Sequence, residues 1–127
     1  MQAEKWDPAL DAVAAAPDQH VVLFENDNIR VLRVILDGGT SEPNHHHRWP
    51  SVFVFDELPG YPVTDYDAAG QGIGVFDLGA APKVLIVPPQ PTHRVENAGE
   101  RPLRGVRIEF KNRALRTADT PQLVHGD

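Results

Sequence analysis

The 127-residue sequence contains no cysteine. That absence excludes disulfide frameworks, thiolate zinc sites, iron–sulfur clusters and cysteine nucleophiles together. Long apolar runs are also missing. None approaches the ~18 residues of a membrane-spanning helix, so no membrane partner is expected. Basic charge is scarce: 12 Lys+Arg stand against 18 Asp+Glu, a net charge of -6. A nucleic-acid binder would need a basic face, so no nucleic-acid partner is expected either. The opening MQAEKWDP has no apolar stretch of the secretory type, and a cytoplasmic location is the expectation. There is no G-x-S-x-G elbow, P-loop or dinucleotide fingerprint.

What is present is a globular composition, 41% hydrophobic and 24% charged, in a chain sized for one domain spanning residues 1–127. Its 12 prolines are about twice the usual ~5% share. They sit with the glycines as punctuation between short apolar runs, the pattern of many short strands and turns. A helical arm is predicted over about 7–16, capped by Asp7, with Pro8 at its first position and Pro17 ending it. The period then changes to two. His20–Glu25, Ile29–Asp37, Ser51–Phe55, Tyr61–Tyr66, Gly74–Leu78, Val84–Val87, His93–Asn97 and Leu103–Phe110 read as about eight strands over roughly residues 20–110. This predicts an all-β antiparallel barrel or sandwich. The tail from Asn112 is polar and reads as a short helix or a segment running over the surface.

Any metal binding must come from the six histidines and from carboxylates, and three of the histidines are consecutive, in Gly39–His47 (GTSEPNHHH). In a strand, residues two apart share a face, so His45 and His47 would point into the barrel and His46 away from it. His93, in Pro88–Asn97 (PPQPTHRVEN), would add a third imidazole from a neighbouring strand. Three such ligands can hold one metal ion and leave positions open. His20 and His125 read as surface residues, Asn97 as a turn pin, and Gln90 as a turn residue between Pro89 and Pro91. Trp49 reads as a pocket mouth or dimer face. In Leu103–Phe110 the alternation puts Val106, Ile108 and Phe110 on one face and Arg107 and Glu109 on the other, which usually faces solvent. Were that polar face inside, Arg107 would be a candidate anchor for an anionic substrate.

These two segments resemble the two motifs of the cupins. Gly39, His45 and His47 match G-x5-H-x-H, and Pro88, His93 and Asn97 match positions of G-x5-P-x-G-x2-H-x3-N. The chain departs from the pattern where Gln90 replaces a glycine. It departs again where the motif glutamate should stand, which is Ser51 or Val52. The resemblance implies a double-stranded β-helix (a jelly-roll barrel) with a short N-terminal helix. It also implies one divalent metal ion on His45, His47 and His93: iron(II) first, with manganese, nickel or zinc as the other choices. On this reading the site has histidines alone, with nothing in the sequence placing Glu42 or Glu109 beside it. The function implied is a metal-dependent, dioxygenase-like enzyme acting on a small polar organic molecule, with no catalytic side chain assigned. The alternative is a non-catalytic cupin that binds or senses a small ligand, with or without metal. A homodimer is expected, because cupins commonly pair through exposed sheet edges.

Overall fold

The computed structural model describes residues 6–111 and the backbone of 122–125. The N-terminal arm forms a 3-10 turn, Pro8–Leu10, and one turn of helix, α1 (Ala12–Ala15). The arm breaks in two because Asp11 takes an extended conformation and caps α1, its side chain accepting from the Val13 N–H. Strands follow in chain order: β1 (His20–Glu25), β2 (Ile29–Leu36), β3 (Thr40–Ser41), β4 (His45–His47), β5 (Ser51–Glu57), β6 (Val63–Asp67), β7 (Gly72–Phe76), β8 (Lys83–Val87), β9 (Gln90–Asn97), β10 (Leu103–Phe110) and β11 (Gln122–His125). Of the tail from Asn112 only the backbone of β11 is described; the tail expectations beyond it and the His125 side chain fall outside the described residues.

Two antiparallel sheets result, one ordered β1-β2-β10-β5-β8-β11 and the other β3-β9-β6-β7, with β4 also pairing β9. The register of the first sheet aligns inward side chains in rows. Arg30, Glu109 and Ser51 form one row, Leu32, Arg107 and Phe53 the next, and Val34, Gly105 and Phe55 a third. Leu36 and Leu103 close the apolar end. The core, which also includes Leu58, Val63 and Val87, is therefore apolar at one end of the barrel and ionic at the other. On β10 the inward residues are Leu103, Gly105, Arg107 and Glu109. This reverses the usual solvent-facing assignment of the charged face, because the ionic groups here have partners within the barrel. Gly105 is required at its position: a Cβ there would strike the Val54 carbonyl oxygen and the Phe53 ring.

Asn97 ties the sheets together, as its reading as a turn pin implies. Its amide donates to the Leu36 and Arg101 carbonyls at 3.1 and 2.9 Å, and its Oδ1 accepts from the Gly99 N–H at 3.0 Å. Its carbonyl accepts from Gly39, whose φ of 75° suits glycine. The two histidine-bearing segments are thus joined at their ends by backbone.

Candidate metal centre

The segment from Thr40 to His47 runs antiparallel along β9. Thr40 lies opposite Asn97, Ser41 opposite Glu96, His45 opposite His93 and His47 opposite Gln90. The Glu42 N–H donates to the Val95 carbonyl, and its carboxylate accepts from the Val95 N–H at 3.0 Å. Three residues from Glu42 to His45 therefore span only two on β9, Val95 to His93. The extra residue is a bulge, and it brings Glu42 to the same side as His45.

Four imidazoles converge inside the barrel. The ring centres of His45 and His47 are 4.9 Å apart, and those of His45 and His93 also 4.9 Å. His47 and His93 are separated by 5.9 Å. His20, expected at the surface, is only 3% exposed, and its ring lies 4.7 Å from His45 and 5.3 Å from His47. It is the one buried residue of the edge strand β1, placed there by the preceding α1 turn. His46 points away, as the alternation predicts: its Nε2 hydrogen-bonds the Asp7 carbonyl at 2.8 Å and its ring packs edge-on against Trp6.

Each of the four converging rings is anchored through Nδ1. His20 donates to the Ala16 carbonyl at 3.0 Å, and His45 to the Pro43 carbonyl at 2.8 Å. His93 donates to Asp65 Oδ1 at 2.7 Å, and His47 to Glu109 Oε2 at 3.3 Å. A carbonyl can only accept, so those nitrogens carry the proton and the Nε2 lone pairs stay free. The His93 Nε2 is buried with no hydrogen-bond partner among the described residues. Glu42 completes the set, 3.6 Å from the His45 Nε2 and 4.0 Å from the His20 Nε2. Two overlapping groups have donor atoms mutually within 4.8 Å: His20, His45 and His47, and Glu42, His45 and His93.

Burial sets the protonation of these groups. It lowers His20 to about 4, outweighing the Ala16 carbonyl. It lowers His45 to about 2, helped by His20 and His93. It holds His47 well below its ordinary value, helped by Arg107. These imidazoles are neutral at physiological pH, the form that binds a metal. Burial also raises Glu42 to about 8, so its contacts with the histidines are not ion pairs in the metal-free protein.

The rings of His45, His47 and His93 thus lie near one another, but the donor atoms within 4.8 Å form the groups His20, His45 and His47 and Glu42, His45 and His93, so His20 and Glu42 stand beside the expected trio. Ser51, where the motif glutamate was sought, faces inward, fully buried, and its hydroxyl has no hydrogen-bond partner among the described residues. Carboxylates arrive instead from Glu42 and from Glu109, the cross-strand neighbour of Ser51. Glu109 is itself paired with Arg30 at 2.6 Å, and Arg30 with both oxygens of Asp11 at 2.9 Å. Asp65 also went unread; its place on β6, inward and next to β9, is a matter of pairing order that no local pattern reveals. Gln90 is not a turn residue but the start of β9, and its Oε1 accepts from Arg107 Nη2 at 2.7 Å. Trp49 lies outside the cavity, among the cations of Arg30, Arg48 and Lys111.

The cluster opens on a cavity of about 290 Å³ walled by apolar side chains such as Val34, Leu36, Phe53, Phe55, Val87 and Leu103. This is close to the ~300 Å³ lower end of small-molecule sites. A sheltered wall of this kind, with neutral imidazoles and a carboxylate at one end, can hold a metal ion and a small organic ligand together.

A scan against protein-family models finds no match, and a search of the curated proteins finds none either. Solved structures do resemble the chain. A cupin domain from Bordetella pertussis matches with a TM-score of 0.56 at 20% identity, over 72% of this chain and 91% of that one. An RmlC-like cupin family protein with a double-stranded β-helix fold from Methanocaldococcus jannaschii matches at 0.52 and 12% identity, over 72% and 77%. A protein with a double-stranded β-helix domain from Klebsiella pneumoniae matches at 0.50 and 16% identity, over 84% of each. Two packed antiparallel sheets, an inward histidine cluster and these likenesses agree: the chain has the cupin fold, a double-stranded β-helix.

Proposed function

We propose that the protein is a metal-dependent cupin enzyme that acts on a small organic molecule inside the barrel, with dioxygenase chemistry as the leading class. The observation that carries this reading is the set of four Nδ1-anchored histidines whose donor atoms, with that of Glu42, fall into two overlapping groups that share His45. His45, His47 and His93 would hold one divalent ion, with Glu42 and His20 supplying the further donors. Mixed imidazole and carboxylate donors suit iron(II) first, with manganese, nickel and zinc as alternatives. Bound there, such an ion supplies Lewis acidity and, if iron, the capacity to activate dioxygen. The protein's own residues do the rest. Asp65 and Glu109 fix the orientation of His93 and His47, and the apolar wall excludes water from the bound molecule.

Untagged protein purified without chelator should carry close to one equivalent of metal by elemental mass spectrometry. His45→Ala/His47→Ala should carry none. Native protein that contains no metal, and takes up none of the four ions, would overturn the reading.

A non-catalytic binding module is the second reading. It is favoured by one observation: Asp65 and Glu109 are already engaged with histidines, and Glu42 is the remaining carboxylate of the cluster. Saturable ligand binding by metal-loaded protein without oxygen uptake would select it.

We also propose a homodimer formed through β1. This strand is the edge of its sheet and exposes Val21, Val22, Leu23 and Phe24 in succession. An apolar edge with unpaired backbone groups invites pairing with a second copy across a two-fold axis. Light scattering should give a dimer mass for the native protein and a monomer for Val22→Lys/Phe24→Asp. A strictly monomeric native protein would rule the interface out.

A further inference from the structure

One charged group in the cavity has no part in the metal-binding cluster. Arg107 is 4% exposed and lines the cavity, one strand row inward from Glu109 on β10. Residues two apart on a strand lie on one face about 7 Å from each other, so its side chain stands beside the His47 anchor without belonging to it. Its guanidinium reaches across the sandwich to Gln90 on the other sheet. It also lies 5.8 Å from the centre of the Phe53 ring. Among the described residues no carboxylate makes a salt bridge with it, and its Nε is buried with no hydrogen-bond partner. Arg30, the other buried arginine on this sheet, is by contrast held by two carboxylates. Burial lowers Arg107 to about 10, which leaves it cationic at neutral pH.

A buried cation with an orphaned donor, facing a cavity, is an arrangement a ligand anion would complete. An arginine fork presents two parallel N–H donors to a carboxylate. Here Nη2 is steered by the neutral acceptor Gln90, and Nε is free. Outside Gln90 and the cluster of histidines and carboxylates the wall is apolar, which suits a monoanion with an apolar body rather than a multiply charged phosphate.

We propose that Arg107 is the anion anchor of the cavity, holding the carboxylate of a small organic acid whose apolar body lies against Phe53, Phe55 and Leu103. The inference rests on the reading of this cavity as the functional site, and it names the substrate class. Arg107 is a positioning residue for that acid, not a metal ligand.

The test is calorimetric binding of benzoate and hexanoate, each beside its uncharged amide, to the protein as purified and again after chelation. The native protein should bind each acid at least tenfold more tightly than its amide in both states. Arg107→Met should abolish that preference without changing metal content, and Arg107→Lys should restore part of it. Circular dichroism checks the fold of each variant, and the native comparison of acid with amide stands if Arg107→Met does not fold. Equal binding of acid and amide by the native protein overturns the proposal. So does a preference that survives in Arg107→Met. A preference lost on chelation alone would assign the carboxylate to the metal, which supports the metal reading while overturning this one. A protein without metal that keeps the Arg107-dependent preference would do the reverse.

Discussion

Replacing Glu42 by glutamine lowers the affinity for divalent metal more than a change outside the ligand set would. Outer contacts to metal ligands are worth about 10–100-fold in affinity, so the loss expected for Glu42→Gln is at least about 100-fold. The substitution keeps the size of the side chain and the possibility of accepting from Val95 N–H, which Glu42 holds at 3.0 Å. What it removes is the one carboxyl beside both His45 and His20, which a bound cation would draw into its ionised, ligating form. A competition titration against a chromophoric chelator, with zinc and with iron(II) under anaerobic conditions, measures the change. Asp65→Asn serves as the comparison. It leaves all the donors in place and disturbs only the hydrogen bond that orients His93, so its loss should stay within the 10–100-fold range. An affinity for Glu42→Gln within about threefold of native would remove Glu42 from the ligand set and return the site to imidazoles alone.

That Glu42 had to be found in the structure says where sequence reasoning stops. The alternation rule places His45 and His47 together and His46 apart, and the structure agrees even though the pairing of β4 with β9 shifts register between His45 and His47. The same rule, extended back to Glu42, would put it on the opposite side from His45. The bulge at Pro43 and Asn44 changes the parity, and nothing local announces it. His20 was misread for a different reason. An edge strand with five exposed residues out of six gives no sign that its first residue turns inward; the packing of α1 decides that. On β10 the strand bounds, Leu103–Phe110, were legible to the residue, but the inward face was not. Apolar residues were taken as the buried set, while the barrel's ionic end buries Arg107 and Glu109 instead. The fold and strand order of the motifs were therefore readable from spacing. The carboxylates were not, because Glu42 comes from the connection between β3 and β4, Asp65 from β6 and Glu109 from β10, and only pairing across the sheets brings them together.

Acid should destabilise the metal-free protein, and the reason is the same burial that prepares the site. His20, His45 and His47 are depressed in the folded state, to about 4, to about 2 and well below the ordinary value. In the unfolded chain each takes up a proton near pH 6.5. Between pH 6.5 and about 4 the unfolded state binds more protons than the folded one, so stability rises with pH and is lost as pH falls. From pH 7 to pH 5 His20 and His45 each cost about 2 kcal/mol, at 1.36 kcal/mol per pH unit and proton, and His47 adds to the loss in the same direction. Glu42 works in the opposite sense. Its folded pKa of about 8 lies above its unfolded value, so its contribution is present at low pH and declines as pH rises toward 8. Over the same interval it returns roughly 2–3 kcal/mol, less than His20 and His45 lose together, so the net change is a loss that counts against the ~5–15 kcal/mol of a typical domain. Urea unfolding of chelated protein at closely spaced pH values gives the proton difference directly as a slope. Glu42→Gln removes the offset and should steepen the acid loss toward three protons, whereas His20→Gln should make it shallower by one. A flat stability between pH 7 and pH 5 in the native metal-free protein would mean that these imidazoles are charged or solvated when no metal is bound, and the pre-formed neutral site would have to be given up.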